Sequence, residues 1–256
     1  MKSLYLIITA LSLVLGTANC FAKAPEAKTA AAQDDKPLPE SAFRSLYDGK
    51  TLDGWWQQNK VPEFHRGGKW EVVNGNIVGV QYPPDRGGFL ATEEKFGDFD
   101  LRFEFKLDYP TDTGVFLRMA DTGQSHQVTL DNRPGGDFGA IYLPWTQASV
   151  KKNPDGIKHF KKDDWNKGEI RIEGEPARIR FWLNGDLIQD FQHTAETTKG
   201  VPRSGYIGIQ VHPTVKTHLN YKEGNKIRYR NIRIHSLDSD SGAAPAKSDA
   251  ADSANK

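Results

Sequence analysis

The sequence predicts an all-β fold, a sandwich of two antiparallel sheets of the jelly-roll kind. Three observations predict it. Alternation of apolar and polar residues is frequent, whereas helical periodicity is scarce. Turn-forming groups such as Asn74-Gly75, Pro134-Gly135-Gly136 and Asn184-Gly185 punctuate the alternating runs. About a dozen such short segments follow one another with no linker between them, the pattern of a sandwich or jelly roll.

The elements follow in order along the chain. Trp70–Val73 and Asn76–Val80 flank Asn74-Gly75, a pair that supplies the positive φ values of a tight hairpin. Phe99, Leu101, Phe103, Phe105 and Leu107 alternate with Asp100, Arg102, Glu104 and Lys106, the period of a half-buried strand. Ile170 and Ile172 alternate with Glu169, Arg171 and Glu173 in the same way. Ala177–Leu183 and Asp186–Phe191 flank Asn184-Gly185 and form a second predicted hairpin. Ile207, Ile209 and Val211 alternate with Gly208, Gln210 and His212.

The ends differ from this middle. Lys2 followed by the apolar run Leu4 to Leu15 and small residues predicts an export signal over 1–22, too short for a membrane span. Cys20 offers a lipid-anchor alternative, which Asn19 in front of it disfavours. Residues 23–40, rich in Ala, Lys, Pro and Asp, read as a disordered spacer, and 238–256 as a disordered tail. One domain over 41–237 lies between them, exported to the periplasm or the medium of a bacterium. Cys20 is the only cysteine, so the domain itself has no disulfide to rely on. No later segment is long and apolar enough to cross a membrane.

With 34 basic and 33 acidic residues, the chain has no global field to attract nucleic acid or an anionic membrane. Nor does it carry a G-x-S-x-G, an H-E-x-x-H, a P-loop or a dinucleotide fingerprint. No cofactor is expected. A divalent cation such as calcium stays open for a jelly roll, although no acidic loop has its ligand spacing.

If the apolar set of each strand faces the core, the other set faces outward. That set holds Arg102, Glu104 and Lys106, then Phe116 and Arg118, then Gln127, Thr129 and Asp131, then Arg180 and Trp182, then Gln210 and His212. Amides, guanidinium groups and aromatic rings suit a hydroxyl-rich ligand, since rings stack on a pyranose and planar polar groups bind its hydroxyls. The alternative is that these residues come from both sheets and never meet. Taken singly, each has a plain structural role. Glu104 could be a cross-strand partner of an arginine, Asp131 a turn cap and His212 a strand-end histidine. Tyr142, Trp145 and Trp182 could be stacking platforms or packing residues.

Ordered motifs add a resemblance. Leu46-Tyr47-Asp48-Gly49-Lys50, Trp70-Glu71-Val72-x-Asn74-Gly75, Gly97-Asp98-Phe99-x-Leu101-x-Phe103-Glu104-Phe105-Lys106 and Thr113-Gly114-Val115-Phe116-Leu117-Arg118 come first. Gln127-Val128-x-Leu130-Asp131-Asn132, Gly139-Ala140-Ile141-Tyr142, Gly208-Ile209-Gln210-Val211-His212 and Arg228-Tyr229-Arg230-Asn231-Ile232 follow. In this order, over about 43–236, the chain resembles the 3-keto-disaccharide hydrolase family. The resemblance implies a concanavalin-like jelly roll acting on oxidised glycosides, with a carbohydrate as its partner. It lifts Glu104, Arg118, Asp131 and His212, which fall at that family's recurring polar positions. Val211 and Pro213 depart from the family, where an acidic residue and a glycine are common.

A ketone at C3 acidifies the C2 hydrogen, so elimination becomes the expected chemistry in place of ordinary two-carboxylate hydrolysis. Glu104 and His212 are the expected acid and base, with Asp131 among the catalytic set. Arg118 or a bound cation is expected to stabilise the enolate, while Gln127, Gln210, Tyr142 and Trp182 bind substrate. The rival expectation is a carbohydrate-binding module without turnover.

Overall fold

The computed structural model describes residues 38–61, 65–214, 222 and 224–238. The expected export signal, Cys20, most of the spacer and nearly all of the tail lie outside the described residues. Among the described residues, no helix is long and apolar enough to cross a membrane.

Two antiparallel sheets make up the fold, as the alternation predicts. The first runs β13 (Asp186–Gln192), β12 (Arg178–Leu183), β11 (Asn166–Glu173), β6 (Phe99–Leu107), β15 (Ile227–Ser236), β4 (Asn76–Val80) and β3 (Lys69–Val73). Short β1 (Arg44–Ser45) adds to β15. The second runs β10 (Ala148–Lys151), β9 (Ile141–Leu143), β8 (His126–Thr129), β7 (Gly114–Met119), β14 (Tyr206–Val211), β5 (Gly88–Thr92) and β2 (Trp55–Gln57). Neighbouring strands that are distant in sequence give the jelly-roll crossing pattern.

Both predicted hairpins form. Asn74 and Gly75 have φ of 49° and 76°, and Asn184 and Gly185 have 55° and 98°. These are the left-handed values a two-residue hairpin turn needs.

The core lies between the sheets. Phe99, Leu101, Phe103, Phe105 and Leu107 of β6 meet Val115, Leu117, Val128, Ile207, Ile209 and Val211 of the second sheet. Each such side chain contributes roughly 1.5–3 kcal/mol by leaving water. The two outer faces then differ. The outer face of the first sheet is half-exposed and laced with ion pairs, such as Arg102 with Glu169 at 3.0 Å. On the second sheet, β5, β7 and β8 are buried throughout, so both of their faces are covered. Loops over the outer face do the covering, and a pocket lies between them.

β7 carries an irregularity with consequences. Met119 pairs with Tyr206, and Phe116 with Gly208, so β7 spends one residue more than β14 over this stretch. Arg118 sits there at φ 52°, in the left-handed region. The extra residue breaks the alternation. Arg118 therefore does not join Phe116 on the outer face, and its side chain runs to the first sheet instead.

Candidate functional site

The pocket on the outer face of the second sheet has a volume of about 730 Å³, enough for a sugar and its substituent. Its floor follows from strand register. Val128, Ile209 and Val211 face the core, so Gln127, Thr129 and Gln210 face outward. Gln127 pairs across with Phe116 on one side and Tyr142 on the other. Gln210 pairs with Phe89. The two amides approach at 3.5 Å and are nearly fully buried.

At one end, His212 follows directly on β14. Its backbone is pinned by Gln81, whose Nε2 donates to the His212 carbonyl at 2.8 Å. Gly87 permits this close docking, because a Cβ there would stand 2.7 Å from the His212 carbonyl carbon. His212 Nδ1 lies 2.6 Å from the Pro213 carbonyl oxygen. A carbonyl can only accept, so Nδ1 carries the proton and neutral His212 has its lone pair on Nε2. Nε2 in turn lies 3.8 Å from Asp112 Oδ2.

Asp112 belongs to a second cluster. Arg133 donates to Asp131 through Nε at 2.7 Å and through Nη2 at 2.6 Å, and Nη2 also reaches Asp112 at 3.0 Å. Burial lowers the Arg133 pKa, but the hydrogen bond to Asp131 and the charges of Asp112 and Asp131 outweigh it and raise the pKa overall. Arg133 is thus a fixed cation, and among the described residues its Nη1 makes no hydrogen bond. Tyr142, on the facing wall, has its phenol pKa raised by burial and by the charge of Asp112. It remains a hydrogen-bond donor. His65 closes the pocket over Phe89 at 5.5 Å between ring centroids. Burial, helped by His212, lowers the His65 pKa to about 4 and keeps the imidazole neutral.

His212, Asp131, Gln127, Gln210 and Tyr142 therefore share one pocket. Three expected site residues do not. Glu104 lies on the outer face of the first sheet, across the sandwich from His212. It accepts from Arg230 Nε at 2.8 Å and Asn231 Nδ2 at 3.0 Å. Burial there raises its pKa, but these partners outweigh burial and lower it. Glu104 and His212 cannot act on one substrate as an acid–base pair. Trp182 lies on that same outer face, beside the Arg180 guanidinium at 5.7 Å from its ring centroid. Arg118 is fully buried and bridges the sheets. It donates to Gly97 O at 2.8 Å, Gly174 O at 3.1 Å and Asp98 Oδ1 at 2.5 Å. Its role is a clamp at the sandwich end, and an enolate cannot reach it.

Four residues of the site were missed: Asp112, Arg133, His65 and Gln81. Asp112 was readable by extending the outward register of Gly114 and Phe116 back past the strand start. Arg133 was readable as a cation two residues from Asp131. His65 and Gln81 carry no local signal, since their positions are set by distant docking.

Known proteins agree with this architecture. The crystal structure of a candidate glycosyl hydrolase from Parabacteroides distasonis aligns with a TM-score of 0.54 at 18% identity, over 79% of this chain and 99% of that one. A Bacillus subtilis protein of unknown function with a galectin-like fold aligns with a TM-score of 0.50 at 13% identity, over 72% of this chain and 90% of that one. Both show the fold. In sequence, a 3-keto-disaccharide hydrolase of Bacteroides thetaiotaomicron is 23% identical, the alignment covering 82% of this chain and 84% of that protein. The family model described as the 3-keto-alpha-glucoside-1,2-lyase-like domain matches residues 42–235. That match takes in every strand but the last residue of β15, and the protein belongs to this family.

Proposed function

We propose that this protein cleaves the glycosidic bond of 3-keto glucosides by elimination across C1 and C2, followed by addition of water. The observation that carries the reading is His212, with Nδ1 tied to a carbonyl and Nε2 turned to a pocket that also holds Asp112 and Arg133. The names borne by relatives support it. A 1,2-lyase describes the elimination half, and a 3-keto-disaccharide hydrolase the net result.

The chemistry is as follows. His212 Nε2 removes the C2 proton, and the C–H electron pair becomes a C2–C3 enolate with its charge on the C3 oxygen. Asp112 stabilises the imidazolium that results, while Arg133 Nη1 donates to the enolate oxygen. The enolate pair then returns, the C1–C2 double bond forms, and the C1–oxygen bond breaks. The departing oxygen takes a proton from Tyr142 or from water. Water adds to C1, C2 regains a proton, and the products are a 3-keto sugar and the free aglycone. Positioned acid–base groups supply roughly 10²–10⁴-fold, and a fixed donor on developing charge supplies roughly 10²–10³-fold. Gln127 and Gln210 hold ring hydroxyls, and Asp131 orients Arg133. The reading includes export, on the pattern of residues 1–22.

The test is incubation of the full chain with a 3-keto glucoside and with its unoxidised parent. Release of the aglycone from the 3-keto compound alone is expected. Binding of both without release favours a carbohydrate-binding module and overturns the enzyme reading.

A further inference from the structure

The pocket floor is polar at one end and apolar at the other. Successive outward positions of β14 run His212, Gln210 and Gly208, so the side chain vanishes at the third. Gly208 pairs with Ala91 on one side and Phe116 on the other. At about 3.3 Å per residue, the Gly208 row lies roughly 13 Å from His212. Ala91 and Phe116 of that row, Phe89 of the neighbouring Gln210 row, Val61 and Met119 form a hydrophobic cluster separate from the core between the sheets. Phe89 and Phe116 meet edge to face at 4.7 Å, and both line the pocket together with Val61. The covering loops bury these side chains almost fully, and Val61, Phe89 and Phe116 border the pocket from beneath them.

The four residues of the proposed elimination stand apart from the Gly208 row. Asp112, Asp131, Arg133 and His212 gather at the opposite end, where the proposed elimination takes place. His65, over Phe89, stays neutral and adds no charge to the apolar wall. A second sugar ring in that quadrant would lose the hydration of several hydroxyls against hydrocarbon, at a cost of about 0.5–3 kcal/mol for each one left unpaired. A hydrocarbon group would instead gain by leaving water.

We infer that the Val61–Phe89–Phe116 quadrant is an aglycone subsite, and that the preferred substrates are 3-keto glucosides of apolar alcohols or phenols. This rests on the proposed function, since the sugar must sit at the His212 end for the aglycone to reach the quadrant.

The test uses three 3-keto-α-glucosides: methyl, cyclohexyl and the disaccharide 3-keto-trehalose. Methyl and cyclohexyl leaving groups have similar acidity, so their ratio reports binding rather than bond strength. The wild-type chain is expected to cleave the cyclohexyl compound at least tenfold better than the other two, in kcat/KM. Phe116→Ser and Val61→Ser are each expected to lower the cyclohexyl-to-methyl ratio about tenfold, the order expected for lost apolar contact. Val61 lies on a covering loop and so tests the subsite even if Phe116→Ser unfolds; melting curves identify that case. An unchanged ratio in folded Val61→Ser, or equal cleavage of 3-keto-trehalose and the cyclohexyl compound, overturns the subsite alone. Cleavage of none of the three by wild type overturns the proposed function, and the subsite with it.

Discussion

His212 Nε2 stands 3.8 Å from Asp112 Oδ2, while Nδ1 is held by the carbonyl of Pro213. The first contact waits for a proton, since neither atom can donate to the other when His212 is neutral and Asp112 ionised. A proton taken from substrate completes the pair. His212→Gln is therefore expected to lower kcat by roughly 10²–10⁴-fold, and Asp112→Asn by a smaller factor. Steady-state rates on a 3-keto glucoside check both.

Arg133 is held between two carboxylates and lines the pocket. Arg133→Gln is expected to lower kcat by about 10²–10³-fold with a smaller change in KM, because the enolate charge exists only after substrate is bound. The same change removes the charged partner of Asp131 and is expected to cost about 2 kcal/mol of stability. Arg133→Lys keeps the charge but loses the two-pronged geometry, so it recovers only part of the rate. Urea titration and a kcat–KM comparison separate the two effects.

Glu104 and Arg118 make the opposite prediction. Glu104→Gln removes a half-exposed ion pair on the far sheet, so cleavage is retained and stability changes by about 1 kcal/mol or less. Arg118→Met leaves Asp98 Oδ1 and the carbonyls of Gly97 and Gly174 without the Arg118 donor and is expected to cost about 3–5 kcal/mol. Its folded fraction is expected to keep the wild-type KM. Loss of turnover in folded Glu104→Gln contradicts the placement of the site.

Acid lability is expected from a buried histidine pair. The rings of His126 and His193 lie 4.1 Å apart between centroids, tilted by 43°, beneath the second sheet. Burial, aided by the other histidine and by Arg118, lowers His126 to about 2. Burial dominates for His193 too, with Arg118 adding to it against a hydrogen bond that the imidazole donates to Thr197, and leaves it at about 4. The unfolded chain takes these protons near pH 6.5 and the folded chain refuses them, so folding stability falls as pH drops below that value. The loss is roughly 1 kcal/mol per pH unit for each histidine, continuing to about pH 4 for His193 and beyond it for His126. His126→Leu is expected to flatten the slope between pH 6.5 and 4, as read by urea unfolding at several pH values.

The hairpins at Asn74-Gly75 and Asn184-Gly185 and the alternation of β6 and β14 were legible in the sequence, because turn chemistry and period two are local. Membership of a sheet is not local. Glu104, Trp182 and His212 all read as outward, but a sandwich has two outward faces, and register with distant strands decides which one each residue joins. The misplacement of Arg118 has another cause: one extra residue in β7 moves it off the outer face, and no composition signal marks such a bulge. The burial of β5, β7 and β8 on both sides reflects loops that close over the pocket, and short apolar runs do not reveal what covers them.

Deuterium at C2 tests the elimination most directly. The full chain is incubated with a 3-keto-α-glucoside in heavy water, and the released 3-keto sugar is examined by NMR at early times against the free sugar alone. Abstraction by His212 Nε2 predicts deuterium at C2 of the product, appearing with the aglycone and greatly slowed in His212→Gln. Release of the aglycone with the original hydrogen kept at C2 contradicts it and returns the reaction to direct displacement at C1.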